Sequence, residues 1–123
     1  MTPVDQTAEG EWGDCLRACV ASVLDLPSDE VPDFVGEHGP RWFTALQTWL
    51  GHLGKHVAYI STASSLSSIA TVYPYDLFWI AVGDGPRGRR HAVVCQSNRV
   101  VHDPHPSRSG LQPLEDAIII LPQ

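Results

Sequence analysis

The chain has no apolar run approaching the ~20 residues that cross a membrane, and its polar, acidic opening, MTPVDQTAEGEW, is not a secretory signal. It reads as a soluble, cytoplasmic protein with no membrane partner. Its 3 cysteines are an odd number and include no Cys-x-x-Cys pair, which argues against a disulfide scaffold and leaves each thiol as core packing or as a reactive group. Basic residues are few: 8 Lys and Arg face 14 Asp and Glu, for a net charge of −6. Nucleic-acid readers carry basic domains with aromatics interleaved, so nucleic acid is not an expected partner. Repeats and composition breaks are absent too, and 123 residues, 43% hydrophobic and 18% charged, fit a single globular domain over 1–123 with one core.

What is present divides into helices first and strands last. Residues 15–25 are apolar almost all round, interrupted by Arg17, Ser22 and Asp25. That composition belongs to a helix buried inside the domain, with Asp14 as the expected N-cap. Pro27 ends it, and DLPSDEVPDF reads as a loop or short turn. Gly39-Pro40 opens a second helix, along which Trp42, Leu46, Trp49, Leu50 and Leu53 recur at helical spacing before Gly54 stops it. KHVAYI, DLFWIAV, HAVVCQ, RVVHD and DAIIIL are strand-like, with a hairpin turning at Ser97-Asn98. Two helices followed by an antiparallel sheet make an α+β fold.

The stretch EWGDCLRACV raises the chemical question. A thiol attacks only as thiolate, so a catalytic cysteine needs a helix N-terminus, an imidazole or both to lower its pKa. Cys15 has the helix start, and the base must come from elsewhere in the chain. His91 opens a strand where the sheet would face a cleft, and Asp103 ends the next strand, placed to orient the imidazole. A two-residue turn in regular register pairs His91 with Pro104 and puts Asp103 on the opposite face. A triad therefore predicts a bulge or a three-residue tip that pairs His91 with Asp103. The backbone amide of Cys15 and the side chain of Gln6 are the expected oxyanion donors. Trp12, just before the nucleophile turn, is placed to wall the cleft or to staple the helix start, and Arg90 stands beside His91. These two are the expected substrate-binding residues. Cys19 and Cys95 read as core, and His102 and His105 as loop residues near the site.

An upstream Gln, GDC at the start of a buried helix, HAVV at the start of a strand and DP closing the next together resemble the papain-like cysteine peptidases. Within them the chain is most similar to the bacterial double-glycine leader peptidases, and it looks like a phage or bacterial member. Leu16 stands where those peptidases carry Gly, and export-coupled processing is not implied. The resemblance implies a papain-like fold and a Cys-His-Asp triad of Cys15, His91 and Asp103, with Gln6 as oxyanion donor. It also implies a peptide or protein substrate and no cofactor.

Two rival readings come from the residues themselves. Cys15 and Cys19 lie four apart on a helix and could share a zinc ion. His91 and Cys95 are also four apart, but on a strand that separates them by ~13 Å, too far to complete a tetrahedral site, so no metal is expected. The non-enzymatic alternative is a papain-like module that binds another protein. Both the enzyme and the triad require the Cys15 sulfur within reach of His91 and open to solvent.

Overall fold

In the computed structural model, which describes residues 1–7, 14–61, 77–85, 90–97, 99–111 and 114–122, the apolar run after Gly13 forms helix α1, Cys15–Leu24. Seven of its residues, Cys15, Leu16, Ala18, Cys19, Val20, Ala21 and Ser22, are buried, as an all-round apolar helix requires. Asp25 ends it in the left-handed conformation, φ 58°. The expected cap at the other end does not form. Asp14 makes no side-chain bond to the helix, because its carboxylate accepts the Thr7 amide at 2.8 Å and the Thr7 hydroxyl at 2.7 Å.

The stretch expected as a loop or short turn holds a 3-10 turn at Ser28–Glu30, and from its last residue an unexpected short helix, α2, runs over Phe34–His38. Asp33 caps α2 by accepting the Gly36 amide at 3.2 Å, and Phe34 is 1% exposed, edge-on to Trp49. Helix α3, Trp42–His52, follows a 3-10 turn at Gly39–Arg41. Leu46 and Leu50, one turn apart, are buried, but Leu53 lies past the helix end and is 47% exposed. The expected apolar stripe is therefore one residue too long.

Five strands follow: β1 Lys55–Ser61, β2 Phe78–Asp84, β3 Arg90–Gln96, β4 Arg99–His102 and β5 Leu114–Pro122. They form one antiparallel sheet in the order β1-β5-β2-β3-β4. On one face Ile80, Val82, Ala92, Val94, Ile118 and Ile120 meet α1 and the two leucines of α3. On the other, Trp79, Ala81, Val93, Cys95, Ala117 and Ile119 gather with Leu111. Burial of both faces explains why FWIAV, HAVVC and AIII are continuous apolar runs rather than alternating ones. The described residues are thus α+β, and no helix among them is long and apolar enough to cross a membrane.

The β3–β4 hairpin carries a bulge, as expected, but not one that pairs His91 with Asp103. Gln96 pairs with Arg99 and Cys95 with Val100, after which the register shifts and Val94 pairs with His102, leaving Val101 as the extra residue. Ser97, at the tip, has φ 54°, a region that disfavours a side chain. Ser97→Gly should therefore stabilise the fold by about 0.5–1 kcal/mol, read as a higher midpoint in urea denaturation. An unchanged or lower midpoint would show that the tip is unstrained.

Candidate active site

His91 sits one residue inside β3 and is 2% exposed. Its Nε2 lies 2.6 Å from Oδ1 of Asp103, the residue just past β4. A carboxylate only accepts, so Nε2 carries the proton and Nδ1 is left as the basic nitrogen. The loop beyond β4 fixes Asp103 from its other sides: the amides of His105 and Gly110 donate to Oδ1 and Oδ2 at 3.0 and 2.7 Å. Burial pushes the Asp103 carboxyl up, but the bonds from His91 and these two amides outweigh it and hold the group at about 2. Asp103 is ionised at any working pH.

The contact forms differently from the expected cross-strand pairing. The bulged residue is on β4, the ladder ends at Val94 and His102, and Asp103 reaches His91 from beyond the strand. A bulge on β4 still reverses which face each later residue takes, and that brings the carboxylate round to the imidazole.

Cys15 opens α1 and is buried in the same core cluster as Ala92 of β3, and the nearby backbone amides of Ala92, Leu16 and Cys15 itself favour its thiolate. That shared cluster sets Cys15 on the face of β3 that carries Ala92, the residue after His91. No hydrogen bond joins the thiol to the imidazole among the described residues. By strand alternation His91 belongs with Val93 and Cys95, on the face away from α1.

The open cleft expected from the sequence is not there. Cys15 is 0% exposed, because the first turn of α1 is laid directly on β3. Nor is its pKa depressed: burial pushes the thiol up to about 12, against the three amides, and the neighbouring Asp14 carboxylate adds to the rise. Cys15 rests as a neutral thiol.

The remaining residues divide sharply. Gln6 is brought to the site: its amide donates to the Pro104 carbonyl at 3.0 Å, next to Asp103, and its side-chain oxygen is buried. Arg90 extends its guanidinium to Asp84 at 3.4 Å and to Asp116 at 3.9 Å, so much of its charge is matched within the chain. Trp12 lies outside the described residues. Cys19 and Cys95 are buried, as core residues should be.

His105 is the residue that sequence reasoning undervalued. It is buried, and its ring stands edge-on to His91 at 6.2 Å. Its Nδ1 accepts the Ser107 amide at 3.0 Å, which places its own proton on Nε2. Two histidines within three residues of Asp103 were the available signal. Among the described residues no three His, Cys, Asp or Glu side chains are grouped to hold a metal ion. No family model, curated protein or solved structure matches the chain.

Proposed function

We propose that this protein is a papain-like, cysteine-dependent hydrolase acting on peptide or amide bonds. The observation that carries the reading is the buried His91–Asp103 pair, 2.6 Å apart, with Cys15 packed in the same core cluster as Ala92, the next residue of β3. A carboxylate gripped by two amides and a ring nitrogen holds an imidazole in one tautomer, which is the orienting role in a triad. The mechanism requires substrate binding to open the sealed thiol and to bring Cys15 and His91, which strand alternation puts on opposite faces of β3, within reach of each other. Nδ1 of His91 then takes the thiol proton as Cys15 attacks the carbonyl, so no standing thiolate is needed. The Cys15 amide and Gln6 receive the oxyanion. His91 then returns its proton to the leaving amine, and water releases the thioester. Deamidation and acyl transfer to an amine use the same parts.

The full burial of Cys15 favours a second reading, a module of the same fold that binds a protein partner and performs no chemistry. Labelling with an electrophilic peptide probe separates the two. An enzyme site should react with the probe faster than the same thiol does in the unfolded chain, and Cys15→Ala or His91→Ala should abolish that excess. A native rate below the unfolded rate, across a panel of peptide sequences, would leave the binding module as the function.

A further inference from the structure

We propose that Arg108 is a positioning residue, a latch that holds the loop carrying Asp103 against the N-terminal segment carrying Gln6. The inference rests on the hydrolase reading for its consequence in catalysis, but not for its geometry. Arg108 lies five residues beyond Asp103, and its guanidinium reaches in two directions. Nη1 and Nη2 donate to Oδ1 and Oδ2 of Asp5 at 2.7 and 3.1 Å, a two-pronged carboxylate contact. Nη1 also donates to the backbone carbonyls of Asp103 and His105. One side chain thus ties Asp5, the neighbour of Gln6, to the backbone of the residue that orients His91.

The backbone argues that the side chain matters. Arg108 has φ 53°, where glycine is the unstrained choice and a long side chain is disfavoured. A residue kept there against its conformational preference points to a use for its side chain. Two further bonds run in parallel with the latch. His102 donates from Nε2 to the Val4 carbonyl at 2.8 Å, and the Gln6 amide donates to Pro104 at 3.0 Å. Residues 4–6 are therefore strapped along 102–104, and Arg108 closes the strap at Asp5. The ion pair is half exposed and adds little stability by itself, so its contribution lies in fixing geometry through a planar fork.

Arg108→Gly is the informative substitution, because it relieves the backbone while deleting the fork. The melting temperature should stay at or above that of the wild type. The low-field proton resonance between His91 Nε2 and Asp103 should vanish or exchange at least tenfold faster, and probe labelling of Cys15 should fall at least tenfold. Arg108→Lys, which keeps charge without the fork, should recover part of both. Asp5→Asn, an exposed change that leaves the loop backbone alone, should lower labelling several-fold and serves as the test if Arg108→Gly fails to fold. The latch is overturned if both Arg108→Gly and Asp5→Asn leave the His91 proton and the labelling rate within twofold of wild type. If the wild type itself is never labelled, the hydrolase reading fails, and the His91 proton alone decides whether Arg108 positions the pair.

Discussion

Asp103→Ala should cost about 3–5 kcal/mol of folding stability, a large part of the ~5–15 kcal/mol that holds a domain of this size together. The carboxylate accepts from three buried or half-buried donors, the His91 ring and the amides of His105 and Gly110. Removing it strands all three, and each unsatisfied buried group costs about 1–3 kcal/mol. Asp103→Asn keeps one acceptor oxygen and should cost less, but its amide hydrogens face donors. The charge has a pH signature. The folded-state value of about 2 lies below the ordinary 3.8, so the stabilisation is whole above pH ~4 and is lost as pH falls toward 2, a loss of about 2 kcal/mol. Guanidinium denaturation at pH 6 and pH 3 captures about half of that loss, about 1 kcal/mol, and Asp103→Asn should lose correspondingly less than wild type over that interval. Equal losses would mean that the carboxylate is not held in its charged form by the fold.

Much of the architecture was legible because it rests on periodicity and on punctuation. The apolar run after Asp14, the i, i+4 pair Leu46 and Leu50, and the continuous apolar strands each demand burial, and burial admits few arrangements. Helix α2 escaped because five residues complete little more than one turn, too few to reveal a period. The cap at Asp14 failed for a different reason: Thr7 offers two donors to the same carboxylate, a competition between segments that no local rule contains. In the site, the meeting of His91 and Asp103 was legible from the need for a bulge, although the bulge lies on β4 and works by reversing faces. The sealing of Cys15 was not legible. Its place at a helix start is written in GDC, but the desolvation that dominates its chemistry is created by β3, some 75 residues away in sequence.

That desolvation makes the thiols the most sensitive reporters of the fold. In the native protein at pH 8, iodoacetamide should alkylate Cys15 roughly 1,000-fold more slowly than in the unfolded chain, because raising the thiol from 9.0 to about 12 cuts the thiolate population by about that factor. Cys95 is likewise raised to about 12 by burial, and Cys19 stands well above its ordinary value. Each folded-state value lies above the unfolded one, so the stability tied to the three neutral thiols is intact below pH ~9 and is lost as pH climbs toward 12. Cys15 and Cys95 each contribute a little over 1 kcal/mol per pH unit, together about 3 kcal/mol per unit, and Cys19 acts in the same direction. Stability should therefore fall steeply above about pH 10, and Cys95→Ala should flatten the slope of stability against pH. Circular dichroism across that range, with mass spectrometry of the alkylated thiols, checks both statements. A native Cys15 that reacts within tenfold of the unfolded rate would overturn the buried neutral thiol. A Cys15 inert to iodoacetamide but captured rapidly by a peptide electrophile would locate its activation in the occupied site, where His91 removes the proton only as the carbonyl arrives.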